Sequence, residues 1–147
     1  MKFPPAIPLY GDPAFRGQCP KEHVEQMSFF NRLRREYPDT FGAIAVHPRN
    51  EGLKQNGQFS TVAKHAAEGM TKGASDVLIP ASPAFICEIK RQNHTLSSWQ
   101  DGQVEYLEAA QKLGAFVCVA LGAVAAWESF EEWKWKYYDG VIMSINS

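Results

Sequence analysis

The chain has 147 residues, of which 45% are hydrophobic and 21% are charged, a composition typical of one globular domain whose core needs no disulfides. Its three cysteines form no CxxC pair and no zinc-type cluster with histidine, so they indicate reduced thiols in a cytoplasmic protein. The proline-rich N-terminus is unlike a signal peptide and no apolar run approaches the length of a membrane span, while a net charge of −1 leaves nucleic-acid binding open.

The first half of the chain begins with a proline-rich arm. Residues 1–20 contain five of the nine prolines and predict an extended segment, laid over the rest of the chain or partly disordered. Residues 21–37 place apolar side chains at three-to-four spacing and predict an amphipathic helix. The sequence FGAIAVH at 41–47 alternates small and β-branched residues and predicts the first strand. A loop over 47–52 and a short helix over 58–68 follow.

The second half of the chain predicts a hairpin followed by two helices and a buried strand. The hairpin strands cover residues 76–80 and 84–90 and are joined by the turn sequence PASP. A helix is predicted over 97–113, and the continuous apolar run at 116–122 predicts a strand buried on both faces. An aromatic-rich helix comes last. This order predicts one α/β domain over residues 21–147, with a mixed sheet flanked by helices.

Charged residues interrupt the predicted hairpin. Side chains alternate along a strand, so Glu88 and Lys90 share one face of the second hairpin strand. The hairpin places Asp76 beside Glu88, and two neighbouring carboxylates repel each other unless a divalent cation lies between them. Mg²⁺ prefers such oxygen ligands together with waters and phosphate oxygens, and Lys90 would lie near the phosphate. These residues are the parts required for phosphodiester hydrolysis.

The motif formed by these residues resembles a known nuclease core. Asp76, followed after eleven residues by Glu88, Ile89 and Lys90, is similar to the D-x(n)-(D/E)-x-K motif of the PD-(D/E)xK nuclease superfamily. The surrounding order, with GMTKGASD before FICEIK and LSSWQ after it, resembles the VRR-NUC branch over about residues 20–135. The resemblance implies a restriction-endonuclease-like fold and a divalent-metal-dependent nuclease. That branch includes structure-specific DNA nucleases and dimeric Holliday-junction resolvases of the phage type.

The resemblance also implies roles for individual residues. Asp76 and Glu88 match the metal-binding acids, and the backbone carbonyl of Ile89 matches a further metal ligand. Lys90 matches the catalytic lysine. Gln100 matches the glutamine at the head of the next helix, where it would hold a water or the scissile phosphate.

Two further parts of the site are expected from the first helix and the following loop. Glu22 matches the acidic residue of the first helix that completes the metal shell through a water, with Glu25 ranked second. Asn50 and Glu51, in the sequence HPRNEG, match a loop at the border of the active site.

The basic residues around the motif differ from the family pattern. The two arginines of the turn are replaced by Thr71 and Lys72, and the proline expected before the aspartate is Ser75. The remaining candidates for a nucleic-acid-binding rim are Asn50, Lys64, His65, Lys72, Arg91 and His94.

Each of these residues also has an ordinary structural interpretation. Asp76 could cap a turn, and Glu88 with Lys90 could form an ion pair at a sheet edge. Glu22 would be favourable near any helix N-terminus, and Gln100 could be a solvated residue of a first helical turn. The dense aromatic residues of the last helix favour core or subunit packing over base stacking.

The sequence therefore predicts a Mg²⁺- or Mn²⁺-dependent deoxyribonuclease that acts on branched or duplex DNA. Cutting both strands of a junction requires two active sites, which predicts a homodimer whose interface is the aromatic helix or the proline-rich arm. Two alternatives stay open: a nucleic-acid-binding domain without turnover, and a protein-interaction domain in which Glu88 and Lys90 form only a structural pair.

Overall fold

A four-stranded mixed sheet with helices on both faces forms the centre of the molecule in the computed structural model, which describes residues 1–48 and 59–139. The strand order is β1-β4-β3-β2, in which β1 and β3 run parallel to β4 and β2 runs antiparallel to β3. The strands are β1 (Leu9–Tyr10), β2 (Val77–Ile79), β3 (Phe85–Lys90) and β4 (Phe116–Leu121). The helices are α1 (Glu22–Glu36), α2 (Phe41–Ile44), α3 (Phe59–Ala67), α4 (Gln103–Lys112) and α5 (Ala123–Lys134).

The two faces of β3 and β4 pack against different layers because side chains alternate along a strand. Cys87, Ile89 and their β4 neighbours Cys118 and Ala120 face α1 and α5, where they join a core rich in phenylalanine and tryptophan. Ile86 faces the opposite way, into a smaller core with Leu107 of α4. Both layers keep water from the strands, so the charged residues of β3 are buried as well.

The predicted hairpin is confirmed by the antiparallel pairing of β2 and β3, in which Val77 lies opposite Cys87. The predicted strand at residues 41–47 is wrong. Phe41–Ile44 forms the short helix α2, and Val46 makes only an isolated bridge to Leu78. The cause is close packing on the end of α1, because the Gly42 N–H bonds the Tyr37 carbonyl and a side chain at Gly42 would collide with that backbone.

The proline-rich arm is an ordered part of the fold. Its Leu9–Tyr10 strand extends the sheet, Ile7 is buried in the smaller core, and the Tyr10 hydroxyl donates a hydrogen bond to Glu132 of α5. The Trp99 indole N–H and the Gln111 amide donate to arm carbonyls. The arm therefore lies over the domain, which is the first of the two arrangements predicted.

The aromatic residues of the last helix pack mainly inside the molecule. Trp127, Phe130 and Trp133 are buried in the larger core, whereas Trp135, in the π-helical turn Trp135–Asp139 that follows α5, is 69% exposed. Packing thus accounts for most of these aromatic side chains, as predicted. No helix in the described part of the chain is long and apolar enough to cross a membrane.

Candidate active site

The β2–β3 hairpin brings the two acidic residues of the motif together. Because Val77 pairs with Cys87, the next residues outward, Asp76 and Glu88, lie side by side at the end of the hairpin. Oδ2 of Asp76 accepts a 2.8 Å hydrogen bond from the backbone N–H of Ile89. The N–H and C=O groups of one strand residue point to the same neighbouring strand, so the Ile89 carbonyl also faces the Asp76 side. The two carboxylates and this carbonyl therefore belong to the same end of the hairpin.

Glu88 is buried, and its two carboxylate oxygens have different surroundings. Oε1 accepts a 2.8 Å hydrogen bond from Nε2 of Gln103 and lies 3.5 Å from Nζ of Lys90. Oε2 is buried and has no hydrogen-bond donor among the described residues. An unsatisfied carboxylate oxygen in a protein interior is costly, so this atom is placed to receive a ligand.

Burial raises the pKa of both carboxyl groups, and Asp76 also raises the pKa of Glu88. Burial raises the pKa of Glu88 well above its ordinary value, and the nearby charge of Asp76 raises it further. Burial also raises the pKa of Asp76, although the hydrogen bond from Ile89 acts in the opposite direction. A bound cation would remove both penalties, since it compensates the charge that burial and repulsion disfavour.

The donor set fits a hard divalent cation. The described residues contain no cluster of three or more histidine, cysteine or acidic side chains that could hold a metal ion. Two carboxylates and a backbone carbonyl are, however, a set that suits Mg²⁺ or Mn²⁺, which take the remaining ligands from water or phosphate. This set comprises Asp76, Glu88 and Ile89, the residues expected from the sequence to hold the metal.

Lys90 lies on the same face as Glu88 and is also buried. Its ammonium donates 2.9 Å hydrogen bonds to the Ser98 carbonyl and to Oε1 of Gln103, and it lies 4.8 Å from the centre of the Trp99 ring. The 3.5 Å contact with Glu88 is longer than these hydrogen bonds. The lysine is thus held in one position beside the carboxylates, with one weak contact that a phosphate oxygen could replace.

The glutamine at the site is Gln103 rather than the expected Gln100. Gln103 donates to Glu88 and accepts from Lys90, and its Oε1 also accepts the backbone N–H of Gln100. Gln100 is exposed, and its side-chain amide lies 3.4 Å from the Ser98 hydroxyl. The difference arises because the helix begins after Gly102 rather than at residue 97. The Asp101-Gly102 pair, a common turn signal, could have indicated this start.

The two acidic residues of α1 have separate roles. Glu22 accepts a 2.6 Å hydrogen bond from the Ser97 hydroxyl, and its charge contributes to the raised pKa of Glu88. Glu25 is buried and accepts a 2.6 Å hydrogen bond from the backbone N–H of Ala123, at the start of α5. Glu25 thus acts as a cap of α5, while the role of Glu22 at the metal stays a prediction.

The described residues that were expected to form a nucleic-acid-binding rim differ in their surroundings. His94 is buried, with Nε2 3.0 Å from the Pro13 carbonyl, so it is not part of an exposed rim. Arg91 holds the arm through the carbonyls of Cys19 and Pro20. Lys72 and Lys64 are exposed; Lys72 pairs with Asp101, and Nζ of Lys64 lies 3.9 Å from a carboxylate oxygen of Glu68. His65 is half-buried. Asn50 and Glu51 lie outside the described residues.

His47 is a neighbour of the site that the sequence did not single out as a functional residue. Its Nδ1 lies 2.9 Å from the backbone carbonyl of Asp76, which places an imidazole against the start of β2. The sequence signal was weak, because a histidine before a proline is common at the end of an extended segment.

The turn before Asp76 is locked to the start of α4 by contact between two glycines. Gly73 has a φ of +78° and Gly102 a φ of +87°, and a side chain on Gly73 would collide with the Gly102 carbonyl group. The ion pair of Lys72 with Asp101 joins the same two segments at the surface. Only residues without a side chain allow this approach.

Structural comparison identifies the fold. A solved structure described as a VRR_NUC domain protein superposes on this chain with a TM-score of 0.60 and 20% sequence identity, covering 80% of this chain and 89% of that chain. The chain therefore has a VRR-NUC fold. This confirms the predicted restriction-endonuclease-like α/β architecture. No protein-family model and no curated protein matches the sequence.

Proposed function

We propose that this VRR-NUC domain is a divalent-metal-dependent nuclease that hydrolyses phosphodiester bonds in DNA. The observation that carries the proposal is the buried Oε2 atom of Glu88, which lacks a donor and lies beside the Asp76 carboxylate. The similarity to a VRR_NUC domain protein supports the proposal, but a fold alone does not determine function.

Each residue of the site has a physical role in this proposal. Asp76, Glu88 and the Ile89 carbonyl would hold Mg²⁺ or Mn²⁺, which supplies an activated water and stabilises negative charge on phosphate. The Lys90 ammonium would exchange its long contact with Glu88 for a phosphate oxygen and stabilise the charge that develops at phosphorus. Gln103 hydrogen-bonds both Glu88 and Lys90 and fixes their relative positions. Glu22, whose charge acts on Glu88, would orient a water of the metal.

The experiment is a cleavage assay with labelled linear duplex, single-stranded, flap and four-way-junction DNA in Mg²⁺ or Mn²⁺. Wild type is compared with Asp76→Asn, Lys90→Met and the surface control Asp39→Asn. Metal-dependent cutting that is lost in the first two variants and kept in the third supports the proposal. Cutting that persists in Asp76→Asn, or folded protein that cuts no substrate, contradicts it.

We further propose that the substrate is branched DNA and that the active form is a homodimer. One chain offers one site, whereas resolving a junction requires two cuts. The aromatic residues of α5 are buried in the core of the chain itself. Trp135, which follows α5 and is exposed, is therefore the better candidate for a dimer interface. Sedimentation of wild type beside Trp135→Ala tests this point, and a monomer at assay concentrations would contradict it.

A second candidate function is nucleic-acid binding without turnover. The specific observation in its favour is that Lys90 already uses its donors on Ser98, Gln103 and Glu88. A protein of this kind binds DNA equally well with and without Asp76 and cuts none, so the same assay, combined with a binding measurement, separates the two candidates.

A further inference from the structure

A second charged feature lies outside the carboxylate site, where the arm meets the segment after β3. It is an open cavity of about 480 Å³ lined by Arg16, Gly17, Gln18, Cys19, Arg91, Asn93 and Leu96. We call it the arginine cavity. Its lining contains two arginines and no acidic residue, which gives it a positive charge and a size that suits a small ligand or a nucleotide unit.

The walls of the arginine cavity are fixed by hydrogen bonds between side chains and backbone carbonyls. Arg91 donates to the carbonyls of Cys19 and Pro20, and the Asn93 amide lies 3.4 Å from the Arg16 carbonyl. Asn93 also caps the turn that follows, through the Thr95 N–H. The arm and the segment after β3 are therefore held together as one surface.

Among the described residues, both guanidinium groups keep unused donors. There Arg16 uses only Nη1, for the carbonyls of Pro13 and Phe15, and Arg91 uses Nε and Nη2 for carbonyls of the arm. Within the part of the chain that the structure describes, neither arginine forms an ion pair with a carboxylate. Two uncompensated guanidinium groups in one cavity favour an anion, and phosphate oxygens match the fork of N–H donors that an arginine presents.

The arginine cavity is connected to the candidate active site. Arg91 directly follows Lys90, and its backbone N–H donates 3.0 Å to the hydroxyl of Ser97. The same hydroxyl donates to Glu22, whose charge acts on Glu88. These contacts join the arginine cavity to the carboxylate site through Ser97 and Glu22.

We propose that the arginine cavity binds a backbone phosphate of the nucleic acid that flanks the cleaved one. The substrate class rests on the proposed nuclease function, while the binding step itself requires no metal and no turnover. Arg16 is the informative residue, because Arg91 also holds the arm and its loss would disturb the fold.

The test measures binding of labelled single-stranded and duplex oligonucleotides by fluorescence anisotropy in EDTA, at several salt concentrations. Wild type is compared with Arg16→Gln, Arg16→Lys and Arg35→Gln, a matched control at an exposed position in the last turn of α1. In Arg16→Gln, the loss of one phosphate contact should weaken binding roughly fivefold at about 0.1 M salt. The slope of log K against the logarithm of the salt concentration should become shallower by about 0.7 to 0.9. Arg16→Lys should recover most of the affinity, and Arg35→Gln should change neither quantity.

Several outcomes would overturn the inference. They are unchanged binding in Arg16→Gln, an equal loss in Arg35→Gln, or wild type that binds no oligonucleotide. A titration with inorganic phosphate at constant ionic strength covers the other source of the anion: phosphate binding that depends on Arg16, with unchanged oligonucleotide affinity, identifies a free-anion site and also overturns it. Oligonucleotide binding that depends on Arg16 without any metal-dependent cleavage would contradict the nuclease proposal and support only the binding of a backbone phosphate in the arginine cavity.

Discussion

Nε2 of Gln103 donates a 2.8 Å hydrogen bond to Oε1 of Glu88, while the carbonyl oxygen of the same amide accepts from Lys90. One side chain at the start of α4 thus contacts both charged residues of β3. This bridge turns the free oxygen of Glu88 toward Asp76, because the other oxygen is already occupied.

The bridge predicts different effects for the two neighbouring glutamines. Gln103→Ala should lower the metal-dependent cleavage rate about 10- to 100-fold, as expected when a partner that orients a metal ligand is lost. Gln100→Ala should have a smaller effect, because the Gln100 side chain is exposed, whereas Gln103 hydrogen-bonds both Glu88 and Lys90. Cleavage rates of the two variants at saturating Mg²⁺ measure these effects. A larger loss of rate in Gln100→Ala than in Gln103→Ala would support Gln100 as the glutamine of the site.

Divalent cations should stabilise the folded protein through Asp76. Mn²⁺ at about ten times its Kd should add roughly 1.4 kcal/mol, which is a Tm increase of about 3 to 5 °C for a chain of this size. Asp76→Asn should abolish this increase. In EDTA at pH 7.5 the same substitution should raise the Tm, because it removes the Asp76 charge, which burial disfavours.

Differential scanning fluorimetry in EDTA and in Mn²⁺ measures both effects. Asp39→Asn is the control, since this aspartate is exposed. A Mn²⁺ shift that survives in Asp76→Asn would mean that the cation binds elsewhere.

The free energy of unfolding without metal should fall as the pH rises above the ordinary carboxyl range. The pKa of Glu88 is raised in the folded state, so the folded protein keeps a proton that the unfolded chain releases from about pH 4.5 upward. The folded state then binds more protons, and its stability decreases with pH through this window. Urea unfolding in EDTA at pH 5 and pH 8 should show the decrease. Glu88→Gln should reduce it, and an equal decrease in that variant would contradict this cause.

The N-terminal arm should contribute to stability through Ile7. This side chain is 4% exposed, and Ile7→Ala should lower the free energy of unfolding by about 2 to 4 kcal/mol because it leaves a cavity in the smaller core. Ile44→Ala is the matched control, since Ile44 is 44% exposed and should lose well under 1 kcal/mol. Urea unfolding measures both, and equal losses would show that the arm is not packed as described.

The hairpin and its charged face could be predicted because a local turn and a period-two pattern determine both. Asp76 and Glu88 meet as a direct result of that register. The segment at residues 41–47 could not be predicted in the same way, because its short helix depends on contact between Gly42 and the end of α1, which is a tertiary interaction.

The position of the glutamine was missed for a related reason. The Lys90 ammonium bonds the Ser98 carbonyl, and this segment runs without helical structure until Gly102. The helix therefore starts three residues after Gln100, and Gln103 takes the place expected for it. The burial of His94 under the arm could not be predicted from the local sequence either, since it depends on a chain segment about 80 residues away.

The contact between Gly73 and Gly102 has a consequence for how the site works. It joins the turn that leads to Asp76 with the helix that carries Gln103, at a point where backbone touches backbone and no rotamer can change. Asp76 and the glutamine that contacts Glu88 are consequently parts of one rigid unit. Their relative positions are set when the chain folds, so under the proposed function a cation and a phosphate would meet a preorganised site and would not spend binding energy on assembling it.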